Sequence, residues 1–501
     1  MEKRIRRLGI FMMLCLVALF VQLNNIQVLK ANSLATNPAN PRVQSAGRSQ
    51  PRGDIVSADG VNLATSVLAN SGVYKYRRVY NPNTAVLFSQ IVGYDSLKYG
   101  NYNGMEAEYN NYLVAHNKPA KSLRDLLTGQ TVVDNVTLTI NSNLQRQVAQ
   151  AVDSGAPGVN GAAAVVLDPN TGAIEAMYSN PTFDPNPLVS PDLATETAYW
   201  TAEVNKQLSP GNPLRAGAYN QIYPPGSSFK VVTTSAVLEH RPDLTAMTYP
   251  VVSSITLPNT GNPPQQLTNY HSSLCGGTLE QILVQSCDAD FASVGQLLGA
   301  PTLVTQAQQY GFNQRIPLDV PASTVAISNF GTEASFAQNV PGLMKSAIGQ
   351  QNVTASALQM AMVAGTVANG GVEMTPHVMA QIRDSQGNLV NSYTPKPWMR
   401  ATTSQTAATL TTFMQGVASS GTAAGIFPAS WNVAAKTGTA QVGSLGPNPT
   451  FTTDWLIAFA PVGQTKVAVA VVLPNQPGSA TGATYSGPIV KQILQDILGN
   501  Q

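Results

Sequence analysis

Residues 1–7 carry Lys3, Arg4, Arg6 and Arg7, and residues 8–21 then run fourteen positions without a charge. No other stretch constrains the chain as strongly. A basic flank before an apolar run directs the basic end to the cytoplasm and everything after it to the other side. Two readings compete: a cleaved signal peptide and an uncleaved anchor. The uninterrupted run is short for a span, which favours a signal peptide. Leu23, Ile26, Val28 and Leu29 extend it, and about 22 residues at 1.5 Å each reach the bilayer's thickness. The small-residue site Ala31-Asn32-Ser33 comes late for cleavage. A single-pass anchor over residues 1–30 is therefore expected, with a seven-residue cytoplasmic tail and an extracytoplasmic remainder.

That placement bears on the cysteines. Cys275 and Cys287 lie twelve residues apart, and in an oxidising compartment they form either a disulfide closing a short loop or two buried thiols. The histidines His116, His240, His271 and His377 are scattered without metal-site spacing, so no metal and no cofactor are expected. Lys+Arg of 28 against Asp+Glu of 26 leaves a net charge of +2, which excludes a nucleic-acid binder of the basic-patch kind.

Residues 32–51, rich in Asn, Pro, Ser and Arg, read as a linker. Residues 52–55 and 59–64 read as a hairpin around Asp59-Gly60. Helical periodicity marks 85–92, 106–114 and 143–152. Two strands, 161–167 and 173–178, flank the turn Asp168-Pro169-Asn170-Thr171-Gly172. Residues 226–239, 278–298 and 356–368 read as helices. Strands follow at 433–440, 455–461 and 467–473, then a closing amphipathic helix at 489–498. Early strands, a helical middle and late strands predict an α/β domain with an antiparallel sheet.

Three short motifs carry chemistry. In Pro224-Pro225-Gly226-Ser227-Ser228-Phe229-Lys230, Ser227 sits in the first turn of a helix and Lys230 one turn on, on the same face. A serine hydroxyl needs a base before it attacks, and a lysine held neutral can serve. The helix N-terminus aims free N–H groups at developing negative charge. Taken alone, such a pair is more often an N-cap serine and a solvated lysine. Lys436-Thr437-Gly438-Thr439-Ala440 ends a predicted strand; its cation and hydroxyls suit a carboxylate, and its glycine lets a substrate backbone approach. Ser286-Cys287-Asp288 falls within the predicted helix 278–298. The three occur in the order Ser-x-x-Lys, Ser-x-Asp, Lys-Thr-Gly at spacings of 59 and 150 residues, the serine penicillin-recognising pattern.

With these motifs in place the chain resembles the class B penicillin-binding proteins, and most closely the short actinobacterial penicillin-binding protein A type. Arg52-Gly53, Gly104-Met105-Glu106, Asn180-Pro181-Thr182-Phe183, Asn212-Pro213-Leu214-Arg215, Ile348-Gly349-Gln350, Ala368-Asn369-Gly370-Gly371 and Phe459-Ala460-Pro461 all resemble that family's segments. The resemblance implies a penicillin-binding, serine β-lactamase-like transpeptidase domain: a five-stranded antiparallel sheet flanked by helices. That domain would occupy 136–501, above an N-terminal pedestal at 31–135. It implies a D,D-transpeptidase acting on peptidoglycan stem peptides and acylated by β-lactams. Ser227 would be the nucleophile and Lys230 its base. Ser286 would relay protons between Lys230, Lys436 and the leaving amine. The N–H groups of Ser227 and Thr439 would form the oxyanion hole, and Thr437, Gly438, Thr439 and residue 288 would bind substrate.

One departure matters: the family's second motif ends in Asn, and this chain has Asp288. A carboxylate offers acceptors only, and it raises the pKa of a neighbouring lysine. Either acylation is weaker than in an Asn-bearing relative, or Asp288 is protonated or turned away. A D,D-carboxypeptidase or β-lactamase on the same site, and a non-catalytic assembly protein, are the alternative functions. The 31–135 segment is too short for a glycosyltransferase domain, so glycan polymerisation would fall to a membrane partner.

Overall fold

A computed structural model describes residues 2–26, 30, 49–69, 75–96, 98–101, 103–117, 131–158, 161–204, 212–442 and 451–499. Most of the expected linker 32–51, the anchor extension 27–29 and the site Ala31-Asn32-Ser33 lie outside the described residues. Helix α1 (Glu2–Asn24) has every side chain from Arg4 to Asn24 exposed, and it is long and apolar enough to cross a membrane.

In chain order there follow β1 (Ile55–Val56), β2 (Asn62–Leu68), β3 (Tyr76–Tyr80) and β4 (Asp134–Leu138). Next come α2 (Ser142–Gly155), β5 (Ala163–Leu167), β6 (Ile174–Ser179) and α3 (Lys230–His240). The middle supplies α4 (Leu279–Gln285), α5 (Asp288–Gln309) and α6 (Ala357–Ala368), then the hairpin β7 (Met379–Asp384) and β8 (Leu389–Ser392). The chain closes with β9 (Ala434–Val442), β10 (Phe451–Ala460), β11 (Val467–Pro477) and α7 (Ser486–Leu498).

Five of these strands form an antiparallel sheet in the order β9-β10-β11-β5-β6. Helix α6 packs on one face; α2 and α7 cover the other. With both faces covered, the central strands alternate between two cores and lack the polar half of an ordinary strand. Ala163, Val165, Ala468 and Ala470 point to one core, and Ala164, Val166, Val469 and Val471 to the other. Two of these helices, α2 and α6, start at side-chain caps: Asn141 Oδ1 accepts from Asn143 N and Leu144 N, and the Ser356 side chain accepts from Gln359 N.

The second sheet is mixed, in the order β8-β7-β4-β1-β2-β3. β1 pairs antiparallel with β2, as the hairpin expectation had it, and parallel with β4. The division expected between 135 and 136 falls inside β4, and the hairpin β7–β8, more than two hundred residues further along the chain, extends the same sheet. The segments on either side of that division are thus joined by continuous strand pairing.

The pedestal is organised around Glu106, which is fully buried. Arg52 Nε donates to Oε2 and Arg78 Nε to Oε1, each at 2.6 Å, and Tyr80 Oη donates to Oε1 at 3.1 Å. Burial pushes Glu106 up, but Arg78 and then Arg52 more than offset it and hold the carboxyl below its ordinary range. Gly53 follows Arg52 because a Cβ there would lie 1.9 Å from Asp134 O. Truncating Glu106 would strand two buried guanidinium groups, at a cost of about 3–5 kcal/mol. Glu106→Ala is therefore expected to lower unfolding free energy by that amount in chemical denaturation. In the parent, a depressed carboxyl pKa gives stability that is present above the unfolded pKa and is lost as pH falls through the folded one.

Candidate active site

The sequence 224–230 turns sharply because Pro225 precedes Gly226, whose φ of +53° favours glycine. Gly226–Phe229 forms a 3₁₀ turn that runs directly into α3. This delivers Ser227, half-buried, at the head of the helix and puts Lys230, fully buried, beneath it. The turn lies against the edge strand β9: a Cβ on Gly226 would meet Thr439 C and O at 2.8 Å, and one on Gly438 would meet Pro225 O at 2.5 Å. Trp455 Nε1 on β10 donates to Pro224 O at 2.8 Å, and Gly226 N to Gly349 O at 3.0 Å. The pairing of Ser-x-x-Lys with Lys-Thr-Gly is thus a backbone-to-backbone contact that glycine alone permits.

The second motif departs from the single helix expected over 278–298. The helix breaks at Ser286, which adopts the left-handed conformation (φ 62°, ψ 43°) between α4 and α5. The Cys275–Cys287 disulfide ties the break to the strand Cys275–Gly277. Asn269 Oδ1 accepts from Ala289 N at 2.8 Å at the start of α5. Periodicity cannot reveal this break, because its cause is a crosslink and a distant side chain. Of the two readings of the cysteines, the disulfide is the one found. Asp290 lies beside its sulfurs, the one grouping of metal-ligand types among the described residues.

The three motifs converge on the Ser286 hydroxyl. Lys436 Nζ donates to Ser286 Oγ at 2.9 Å and to Thr437 O at 3.0 Å. Lys230 Nζ donates to Ser286 O at 2.8 Å, to Ser286 Oγ at 3.3 Å and to Asp288 Oδ1 at 2.7 Å. Ser227 Oγ is 3.4 Å from the same Asp288 oxygen. Asp288 is therefore turned into the site. Burial pushes the Lys230 ammonium below the ordinary lysine range, with the charge of Asp288 pulling back. Burial pushes Lys436 well below that range, and the charge of Lys230 adds to it.

The remaining residues expected at the site line the same strand. Thr437 Oγ1 shares a 2.6 Å hydrogen bond with Thr422 Oγ1, and Thr439 Oγ1 accepts from Gly482 N at 3.1 Å. Thr422, Asn269, Trp455 and Gly482 were not singled out in the sequence. Each acts through long-range hydrogen bonds, and none carries a local signal.

A half-buried serine over a buried lysine, a bridging serine and a second lysine on an edge strand define a serine acyltransferase of the penicillin-recognising kind. The penicillin binding protein transpeptidase domain matches residues 162–495, and the penicillin binding protein A dimerisation domain matches 52–135. The chain belongs to the penicillin-binding protein transpeptidase family. It is 33% identical to the peptidoglycan D,D-transpeptidase PbpA of Mycolicibacterium smegmatis over 98% of this chain and 97% of that protein. It is 32% identical to the protein of the same name from Mycobacterium tuberculosis over 99% of each. Among solved structures, penicillin-binding protein A from M. tuberculosis as its ceftriaxone acyl-enzyme complex matches with TM-score 0.79 and 30% identity, covering 90% of this chain and 99% of that one. The penicillin G acyl-enzyme complex matches with TM-score 0.77 and 31% identity, covering 90% and 100%.

The close approach at Gly438 yields a test. Gly438→Ala is expected to push β9 away from the Ser227 turn and slow acylation by a fluorescent penicillin by about 100-fold, the cost of a misplacement near 1 Å. A thermal melt close to the parent's would show that the loss is one of alignment.

Proposed function

We propose that this chain is a serine peptidoglycan D,D-transpeptidase anchored in the cytoplasmic membrane by α1, with the pedestal (31–135) and transpeptidase domain (136–501) outside. The convergence of Lys230 and Lys436 on the hydroxyl of Ser286, with Asp288 joining Lys230 to Ser227, carries this reading. Near-full-length similarity to named D,D-transpeptidases, one of them with solved β-lactam acyl-enzymes, supports it.

In this reading Ser227 Oγ attacks the carbonyl carbon between the two terminal D-alanines of a stem peptide. The N–H groups of Ser227 and Thr439 hold the oxyanion. The nearness of the Ser227 turn to β9 supports that pairing. Thr437, Gly438 and Thr439 line the strand that takes the substrate's terminal carboxylate. Ser286 links Lys436 and Lys230 in one hydrogen-bonded network beside the reacting atoms. The departing D-alanine leaves an acyl-serine, which an amine from a neighbouring strand resolves. β-Lactams stop at the acyl-serine. The anchor's basic flank supports an orientation with residues 1–7 cytoplasmic. Glycan polymerisation is assigned to a separate membrane partner.

Intact-mass spectrometry of the full chain in detergent, with and without penicillin, tests the reading. The expected outcome is a mass gain of one penicillin, absent in Ser227→Ala. A folded parent that gains no mass would refute an acyl-serine mechanism.

A further inference from the structure

The proton of Ser227 must go somewhere when its oxygen attacks. A lysine serves as that acceptor only when neutral and within reach. Lys230 Nζ here faces three oxygens: Asp288 Oδ1, Ser286 O and Ser286 Oγ. These match the three N–H bonds of an ammonium. The carboxylate at 2.7 Å favours that charged form. Among the described residues no hydrogen bond joins Lys230 Nζ to Ser227 Oγ. The serine hydroxyl donates instead to Asp288 Oδ1 at 3.4 Å, a length that free enzymes shorten once substrate is bound.

We propose that Asp288, not Lys230, accepts the Ser227 proton during acylation, while Lys230 stays an ammonium and holds the carboxylate in place. The proposal rests on the acyl-serine reading above. The proton balance closes. As Oγ bonds to the carbonyl carbon, the O–H bond breaks and its proton passes to Oδ1; the carbonyl π electrons move to the oxygen in the oxyanion hole. On collapse the C–N bond breaks, and the leaving amine takes the proton from the Asp288 carboxyl. In the second half the acceptor amine gives its proton to the carboxylate, and Oγ recovers it on leaving. The residue type alone left two readings, weaker acylation or an Asp288 that is protonated or turned away; its orientation into the site gives it a different part.

The titratable groups around Asp288 are Lys230 from α3, Lys436 from β9 and Asp290 from its own helix. Burial pushes Asp290 up to about 6, so the informative interval lies above it. The experiment is rapid-mixing acylation of the detergent-solubilised full chain by a fluorescent penicillin, from about pH 7 to about pH 9. Parent, Asp288→Asn and Ser227→Ala are compared. The parent rate is expected to be flat across this interval, and the Asp288→Asn rate, left to a lysine base, to climb by about tenfold or more across it. A parent rate that climbs with pH as steeply as that of Asp288→Asn overturns the proposal and leaves the acyl-serine reading intact. A parent that does not label, or a Ser227→Ala chain that does, refutes both. Should Asp288→Asn fail to fold, the parent profile decides: a rate climbing with pH through the interval, as a deprotonating lysine requires, overturns the proposal.

Discussion

Two lysine side chains buried within reach of one hydroxyl are the constraint on which the rest of the molecule depends. Lys230 and Lys436 are both fully buried and both contact Ser286 Oγ. Two ammonium groups cannot share a low-dielectric site without compensation. Asp288 neutralises one of them, and it sits on Lys230. The other, Lys436, is pushed well below the ordinary lysine range by burial and by the charge of Lys230. The asymmetry follows from charge alone: one anion and two cations leave one amine disposed to lose its proton. That amine donates to the same Ser286 hydroxyl as Lys230 does.

Holding such a cluster requires that three distant segments not drift. The sheet does this for Lys436, since β9 is an edge strand whose outer side is closed by the Ser227 turn at glycine distance. The disulfide and Asn269 do it for the second motif, fixing the break from which Ser286 and Asp288 project. The pedestal joins the same frame through β4, which pairs with β1 on one side and β7 on the other. Domain language therefore understates the coupling here. A force on the pedestal strands reaches a hairpin belonging to the catalytic half without crossing a flexible linker.

The chemistry was more legible in the sequence than the architecture. Ser227, Lys230 and Lys436 stood out because each motif is local: a turn before a helix, and a cation at the end of a strand. The antiparallel sheet followed from the order of early strands, helical middle and late strands, and its five strands from the family resemblance. The mixed pedestal sheet did not. β7 and β8 are short, β8 is wholly exposed, and β7 reaches β4 across about half of the chain. The helix expected over 278–298 failed for a related reason. Its residues are helix-compatible throughout, and only the crosslink to Cys275 and the left-handed Ser286 interrupt it. Local periodicity reports what a segment tolerates, while tertiary partners decide among tolerated states.

The exchange of Asn for Asp at 288 is best understood as a change in the site's charge count. With an amide at 288, two buried lysines would face no carboxylate at that position, and one would have to be neutral. A lysine base is then the natural outcome. With a carboxylate there, Lys230 can keep its proton. The role of base then moves to the oxygen already shared between Lys230 and Ser227. The geometry of the three motifs is the same in either case, because backbone packing and Ser286 set it. One atom's identity, oxygen for nitrogen, decides which member of the cluster is free to take a proton.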